Sequence, residues 1–233
     1  MGISSGALVY LYQSNKKEVS STIPEVTEVE IPIVTITPAV ARSLITADTE
    51  KNIDTTAGST AVLKTIAKEL EETTGTDSIK NIYLTEKATI FTKNETGGIQ
   101  QNTGIKKLLS VWSNKMPALL SRSFSKEFML GVYSSNSGRN MPFLILTTNS
   151  YEQTFAGMFK WENNILSDFY KLFGLSTKQA TQSFRDYVIR GNDVRILKNQ
   201  NGETLMLYSF INKDMLVVTT NEEVLNKILF KLK

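Results

Sequence analysis

Residues 144–161 read LILTTNSYEQTFAGMFKW, an apolar strand pattern that passes directly into a helical pattern. Residues 216–232 read LVVTTNEEVLNKILFKL and repeat the same order near the end of the chain. In both stretches Thr-Thr-Asn separates an aliphatic run from apolar residues that recur at helical spacing. We therefore predict two strand-to-helix units, and their similarity leaves an internal β-α duplication open.

Short apolar runs and turn signals surround these two units. Asn201-Gly202 is the strongest turn signal, and it predicts a hairpin within a three-stranded meander. The predicted strands are Ile31–Thr37, Ile79–Leu84, Ala88–Thr92, Phe128–Tyr133, Pro142–Thr147, Tyr187–Ile189, Asp193–Lys198, Thr204–Phe210 and Met215–Thr219. The predicted helices are Ser59–Thr73, Ile105–Trp112, Pro117–Phe124, Ser150–Phe173 and Glu222–Leu232. Strands in runs joined by tight turns indicate an α+β fold, with a mainly antiparallel sheet and amphipathic helices packed on it.

The order of these segments suggests a division of the chain. Residues 1–30 are interpreted as a membrane-anchor remnant and linker, 31–104 as an N-terminal α/β subdomain, and 105–233 as a C-terminal α+β subdomain. The boundary follows a loop expected at residues 94–104, which contains three glycines. A single continuous domain over 31–233 is the alternative.

Composition excludes several kinds of chemistry. The 233 residues include no Cys and no His, which removes thiolate nucleophiles, disulfides, imidazole bases and metal sites built on either residue. The net charge is +3, and the 26 Lys and Arg form no basic stripe, so no nucleic-acid partner is expected. No calcium-loop pattern and no cofactor motif occurs, and we expect no cofactor.

The N-terminus resembles the end of a membrane helix. Ala7–Leu11 is apolar, Tyr10 and Tyr12 lie near its end, and Lys16-Lys17 follow. The run is shorter than the roughly 20 apolar residues that cross a bilayer. Three interpretations stay open: the tail of a membrane anchor, an ordinary first helix or strand, and a signal peptide.

The two Thr-Thr-Asn joints are interpreted as helix starts. A phosphate-binding turn needs glycine so that backbone amides approach the anion closely, and neither joint contains one. Asn149 with Glu152 fits a capping box, and Thr220 with Glu223 has the same spacing, with Asn221 as the alternative cap. Asn149, Glu152, Thr220 and Glu223 are therefore expected to be structural.

Glu162 is the strongest candidate for a functional residue. It lies on the apolar stripe of the long predicted helix, seven residues after Phe155, and Trp161 is beside it. A carboxylate in that position must be solvated, paired or protonated. We expect it to pair with an arginine such as Arg122 or Arg185, and the alternative is a functional acid in a cleft.

Two enzymatic alternatives are weighed on residue spacing. Ser123 and Lys126 match the S-x-x-K spacing of serine acyl-transfer enzymes, but the companion motifs S-D-N and K-T-G are absent. Glu127, Glu162 and Asp168 are candidates for paired carboxylates, without a spacing signature. A His-free hydrolase is therefore the least favoured function.

A family resemblance covers residues 117–233. The elements RSF…FMLGVY, PFLIL, SYEQTFAGMFKWE and LVVTTNEEVL resemble uncharacterised bacterial proteins with one N-terminal membrane helix and an exported α+β domain. The resemblance implies a membrane-anchored domain that faces the cell envelope, and it carries no catalytic residue. We expect a non-enzymatic extracytoplasmic domain that binds a protein partner in the bacterial envelope, and the alternative is a small-ligand or glycan-binding domain with aromatics lining a cleft.

Overall fold

The structure is a computed structural model that describes residues 43–91, 96–112, 115–170, 172–175 and 183–232. The anchor remnant and linker expected at residues 1–30 and the strand expected at Ile31–Thr37 lie outside the described residues. The described residues all belong to one compact unit, which extends over residues 37–233.

Nine strands and five α-helices make up the described chain. The strands are β1 Thr49–Asp54, β2 Ser78–Phe91, β3 Thr96–Asn102, β4 Phe124–Ser134, β5 Asn140–Thr148, β6 Arg185–Ile189, β7 Asn192–Lys198, β8 Thr204–Asn212 and β9 Met215–Thr219. The helices are α1 Ser59–Glu71, α2 Ile105–Trp112, α3 Ala118–Ser123, α4 Tyr151–Phe169 and α5 Glu222–Lys231.

The strands form one sheet in the order β1-β2-β4-β5-β9-β8-β7-β6. Strand β3 pairs with the C-terminal half of β2, residues 85–91. Only the β1–β2 pair is parallel among the described strand pairs. The expected α+β fold with a mainly antiparallel sheet is therefore confirmed. The apolar character of both faces of β5 and β9 follows from their central place in the sheet.

Helices cover both faces of this sheet. Helices α1, α2, α3 and α4 pack on one face, where Ile66, Leu108, Leu120 and Trp161 join a single apolar core. Helix α5 packs on the other face through Val224, Leu225 and Ile228. The two Thr-Thr-Asn units therefore place their helices on opposite faces of adjacent strands, so they do not repeat one packing arrangement.

Several element boundaries differ from the predicted ones. The two strands expected at Ile79–Leu84 and Ala88–Thr92 are parts of one long strand, β2 (Ser78–Phe91), because β1, β4 and β3 supply partners along its length; Thr92 itself lies outside the described residues. Most of the loop expected at 94–104 is strand β3. The strands expected at Tyr187–Ile189 and Asp193–Lys198 form a hairpin, β6 with β7, that turns on Arg190 and Gly191, both with positive φ.

The long helix ends four residues before the predicted end at Phe173, and Gly174 then terminates the turns that follow. Regular helix ends at Phe169, turns continue, and Gly174 adopts a φ of 64°. The Leu175 amide then donates to the Tyr170 carbonyl at 2.8 Å, which is the six-to-one bond of a Schellman ending.

The sheet is continuous across residue 104. Residues 78–82 of β2 pair with residues 130–134 of β4, so strands on both sides of the expected boundary are hydrogen-bonded neighbours. The subdomain division at 104/105 therefore has no counterpart in the sheet. Within the part of the chain that the structure describes, no helix has the length and apolarity that crossing a bilayer requires.

Candidate functional site

A row of aromatic rings lies on the outer side of α4. Tyr151, Phe155 and Phe159 follow one another at four-residue spacing, which places them on one helix face. The Tyr151 and Phe155 ring centroids are 5.7 Å apart, and those of Phe155 and Phe159 are 4.9 Å apart. Phe155 and Phe159 are each 40% exposed. Both share the helical periodicity of the buried Met158 and Ile165, and their exposure is not what an apolar stripe indicates.

Strand β8 adds a fourth ring to this row. The Phe210 ring centroid lies 5.0 Å from that of Tyr151 and 5.8 Å from that of Phe155. A cleft of about 530 Å³ opens between the α4 rings and the strands β6, β7 and β8. Its opposite wall consists of residues 186–188, 191–195 and 208–210.

Glu162 lies one helical turn beyond Phe159 and is bound from two strands. Arg195 donates from Nε to Glu162 Oε1 and from Nη2 to Oε2, each at 2.8 Å. The Tyr208 hydroxyl donates to Oε1 at 2.7 Å. Arg195 and Tyr208 are register partners in β7 and β8, so both side chains project toward α4.

The arginine partner expected for Glu162 was misidentified. Arg122 Nε donates instead to the Ala118 carbonyl within its own helix. Arg185 is exposed on β6 and pairs in register with Ile196. Pairing of Glu162 with an arginine was anticipated, but the choice of Arg195 depends on strand register, which the sequence does not display.

Arg195 links this buried cluster to the open cleft. Its Nη1 donates to Asp186 Oδ1 at 2.9 Å, and Asp186 is 86% exposed. The guanidinium carbon lies 4.7 Å from the Phe159 ring centroid, a cation–π distance. Two carboxylates therefore surround one guanidinium, and the cluster carries a net negative charge.

Arg195 and Tyr208 both keep their protons at neutral pH. The hydrogen bond with Glu162 raises the pKa of Arg195 above its usual value. Burial, and then the hydrogen bond to Glu162, raise the pKa of Tyr208. Tyr208 consequently stays a hydrogen-bond donor and Arg195 stays charged, which suits a fixed binding wall and not a proton-transfer pair.

Trp161 belongs to the core and not to the cleft. Its side chain is fully buried, and Nε1 donates to Asp168 Oδ2 at 2.7 Å. The ring centroid lies 5.4 Å from that of Phe169. The functional role that the sequence suggested for Trp161 beside Glu162 is thus replaced by a packing role.

The predicted capping box of α4 is wrong. Ser150 occupies the N-cap position without a side-chain cap bond, and neither Asn149 nor Glu152 caps the helix. The Thr148 hydroxyl accepts the Ser150 amide at 3.1 Å and also bonds Thr154, while the Asn149 amide donates to the Ser123 carbonyl. A buried hydroxyl cluster therefore supplies the polar contacts of this joint.

The alternative cap that the sequence allowed at α5 is confirmed. Asn221 is the N-cap, and its side chain accepts the Glu223 amide at 2.7 Å. Thr220 is not the cap, and Glu223 pairs through its side chain with Arg139 at 3.5 Å. The predicted box of Thr220 with Glu223 is therefore wrong by one residue.

The Ser-Lys spacing does not produce a nucleophile and base pair. Ser123 ends α3 and Lys126 lies in β4, so one helical turn does not bring them together. The buried Ser123 hydroxyl donates to the Leu120 carbonyl and accepts from Thr154, each at 2.8 Å. The Ser123 hydroxyl therefore belongs to the contact between α3 and α4.

The three candidate carboxylates do not converge. Glu127 is exposed on β4, Asp168 is bonded to Trp161, and Glu162 is bonded to Arg195. Among the described residues, no group of three or more acidic residues is placed to hold a metal ion.

Sequence reasoning missed the aromatic row together with Arg195, Tyr208 and Asp186. A signal was present, because Tyr151, Phe155, Phe159 and Glu162 follow a second helical stripe that mixes rings with an acid. Its partner strands are 33 to 46 residues away from Glu162 in sequence and could not be assigned.

Comparisons with protein-family models, curated proteins and solved structures found no match to this chain.

Proposed function

We propose that this chain is a non-enzymatic binding domain that holds an extended segment of a partner protein in the aromatic cleft beside β6. The observation that carries the proposal is the pair of half-exposed rings, Phe155 and Phe159, on a helix that buries Met158, Trp161, Ile165 and Phe169. Exposed aromatic rings in a concave surface are typical anchors for a binding partner.

The position of β6 supports an extended occupant. Among the described strands, β6 pairs only with β7 and so forms one end of the sheet. Residues 185–188 are exposed, and residues 186–188 line the cleft. An extended peptide added to such an edge forms main-chain hydrogen bonds, while its alternate side chains enter the adjacent cleft.

The charges of the cleft favour a basic partner segment. Asp186 and Asp193 are exposed at the cleft wall, and Arg195 is already engaged by Glu162 and Asp186. A segment that alternates apolar and basic residues complements both the rings and the carboxylates. We propose this pattern for the partner.

The proposed cellular setting is a membrane-anchored domain that faces the bacterial cell envelope. It rests on the apolar and aromatic N-terminal sequence and on the resemblance over residues 117–233. The cleft adds a surface through which such a domain would engage another envelope protein.

A glycan is the second candidate for the same cleft. Sugar rings stack their apolar faces on aromatic side chains, and carboxylates accept hydrogen bonds from sugar hydroxyls. Asp186 and Asp193 line the same cleft as the α4 rings, so a sugar there could meet both kinds of group. A catalytic role is not proposed, because both oxygens of Glu162 already accept hydrogen bonds from Arg195 or Tyr208.

Peptide selection tests the proposal directly. A displayed random-peptide library is selected on the immobilised full chain, and a glycan panel is screened in parallel. We expect enriched peptides with alternating apolar and basic residues. Binding to the double variant Phe155→Ala/Phe159→Ala should be at least about tenfold weaker, since loss of an aromatic anchor costs about 2 kcal/mol or more.

Phe230→Ala is the matched control. Phe230 is 69% exposed on α5, away from the cleft lining, so its removal should leave peptide affinity unchanged. Equal loss in the control and the double variant would argue against the cleft. Glycan binding without peptide binding would favour the second candidate.

A further inference from the structure

Two carboxylates line the aromatic cleft, and their surroundings differ. Asp186 is paired with Arg195, which also binds Glu162. The Asp193 carboxylate is exposed and takes part in no ion pair or hydrogen bond of the described chain, although its backbone carbonyl accepts a hydrogen bond from the Ser209 hydroxyl at 2.7 Å. Arg195 is the one basic residue among the described residues that line the cleft. The charge of Asp193 is therefore not neutralised by a neighbour.

Asp193 lies on the same side of the sheet as the α4 rings. Successive side chains of a strand point to opposite faces, so Asp193 shares a face with Arg195, whose guanidinium contacts the Phe159 ring. Asp193 and Phe210 lie one residue beyond the outermost register pair of β7 and β8, which makes them neighbours across these strands. The Phe210 ring centroid is 5.8 Å from that of Phe155. A carboxylate beside aromatic rings is a suitable environment for a cation, through its charge and through cation–π contact.

Val188 lies between Asp193 and the outer edge of β6. The two residues are register partners in β6 and β7, and Val188 is 69% exposed. A segment that adds to β6 has its backbone about 10 Å from that of Asp193, twice the usual spacing between strands. Only a long side chain crosses this distance. Lysine and arginine lay their apolar stems along apolar surface and keep the charged end in polar surroundings, and Val188 supplies such a surface.

We propose that Asp193 selects a lysine or arginine at one position of the bound segment, the position opposite Val188. The stem of this side chain packs on Val188, and its charge lies between the Asp193 carboxylate and the nearby aromatic rings. This inference rests on the proposed binding of an extended partner segment at β6, and it names the residue that recognises the charge of that segment. Asp186 is not assigned this role, since Arg195 already pairs with it.

Peptide selection on variants tests this role. The displayed random-peptide library is selected in parallel on the immobilised full chain, on Asp193→Asn and on Phe155→Ala/Phe159→Ala. We expect lysine or arginine at one fixed position of the peptides that the wild type enriches, and no such preference on Asp193→Asn. Asparagine keeps the shape of the side chain and removes its charge, and circular dichroism verifies that the fold is retained.

A double-mutant cycle tests the contact itself. The most enriched peptide is synthesised with lysine, ornithine, diaminobutyrate or norleucine at the fixed position, and its affinity is measured by calorimetry. On the wild type, norleucine should weaken binding about tenfold, because it keeps the stem and loses the charge. The two shorter ammonium side chains should weaken it progressively as their reach falls. On Asp193→Asn the four peptides should bind about equally, since the charge has lost its partner.

Asp214→Asn is the matched control. It removes the same charge from an exposed turn outside the cleft lining, so its affinity for the lysine peptide should equal that of the wild type. Asp186→Asn should weaken binding less than Asp193→Asn does, because the Asp186 carboxylate is already engaged by Arg195. Equal weakening by Asp186→Asn and Asp193→Asn would overturn the assignment of charge selection to Asp193.

Failure of this inference differs from failure of the cleft proposal. Peptides that depend on Phe155 and Phe159 but show no cation preference would overturn the role of Asp193 and leave the cleft proposal standing. Equal losses of affinity in Asp193→Asn and Asp214→Asn would do the same, because they would indicate nonspecific attraction. If no enriched peptide depends on the two rings, the cleft proposal fails and this inference fails with it.

Discussion

Lys80 and Glu69 form an ion pair inside the protein, between β2 and α1. Lys80 Nζ lies 3.4 Å from Glu69 Oε2 and donates to the Glu72 carbonyl at 3.1 Å, while Lys51 reaches the other Glu69 oxygen at 3.0 Å. Burial alone would raise the pKa of Glu69, but the two lysines outweigh it and hold that pKa below its usual range. The carboxylate therefore stays charged where α1 meets the sheet.

Removing this carboxylate should destabilise the protein strongly. Glu69→Gln leaves Lys80 buried without its ionic partner, and we expect a loss of about 3 kcal/mol in urea unfolding at neutral pH. Because the folded pKa of Glu69 is lowered, its contribution is present at neutral pH and is lost as pH falls through the folded pKa. The difference from wild type should therefore shrink below about pH 4.

The control for that comparison is Glu72→Gln. Glu72 pairs with Lys68 at 3.5 Å on the exposed side of α1, and its loss should cost less than about 0.5 kcal/mol. Equal losses of unfolding free energy in the two variants would show that burial does not increase the contribution of the Glu69–Lys80 pair to stability.

Substitutions in the Glu162 cluster should lower the unfolding free energy by different amounts. Glu162→Ala leaves Arg195 and the buried Tyr208 hydroxyl without their shared acceptor, and we expect a loss of about 3 kcal/mol in unfolding free energy. Tyr208→Phe removes a single hydrogen bond and should cost about 1 kcal/mol. Asp186→Asn, at an 86% exposed site, should cost less than about 1 kcal/mol. A reversed order in chemical denaturation would contradict the bonding described for Arg195.

At the scale of elements, the contact between α3 and α4 depends on one glycine. A Cβ added at Gly157 would lie 2.7 Å from Leu120 Cβ and 3.2 Å from Leu120 Cα. The helix backbones therefore approach as closely as they do only because position 157 has no side chain. The neighbouring buried hydroxyls of Ser123, Thr148 and Thr154 bind the same joint to the end of β5.

Gly157→Ala should destabilise the protein although alanine favours helices. Overpacking costs about 1–3 kcal/mol, and a Cβ only 2.7 Å from Leu120 Cβ favours the upper end of that range, above the roughly 1 kcal/mol gained in helix propensity. Asn163 is exposed on the same helix, and Asn163→Ala should be more stable than Asn163→Gly by about that propensity difference. Thermal unfolding of the four proteins, wild type included, measures both comparisons. A more stable Gly157→Ala variant would show that α3 moves away without cost.

At the scale of the whole molecule, one sheet joins the two halves of the chain. Strand β2 pairs with β4, and residues of α1, α2 and α4 share one apolar core. A fragment that begins after β3 would expose the edge of β4 and remove the α1 side of that core.

We therefore expect residues 105–233 alone not to fold cooperatively. The full chain should unfold over the described region in a single transition, with circular dichroism and tryptophan fluorescence coincident in urea. The fragment should show a broad or absent transition by the same probes. A sharp transition in the fragment would restore the subdomain boundary expected at residue 104.

Local patterns predicted most of the elements but not their partners. The periodicity of Val62, Ile66 and Leu70 indicated α1, and these side chains are buried. Phe155 and Phe159 have the same helical periodicity and are exposed, because the α4 face that carries them lies over the outermost strands β6 to β8 and is only partly covered. Periodicity reports which residues share a face, and it does not report what covers that face.

The sequence by itself determined the α+β class, the start and end of most helices, and the absence of thiol and imidazole chemistry, since these depend on composition and on contacts between near neighbours. Only the tertiary structure decided that Arg195 and Tyr208 bind Glu162 and that Trp161 is in the core. Each of these pairs distant segments through strand order and register. That pairing is set by how the whole sheet and its helices bury apolar surface together, and no short stretch of sequence contains it.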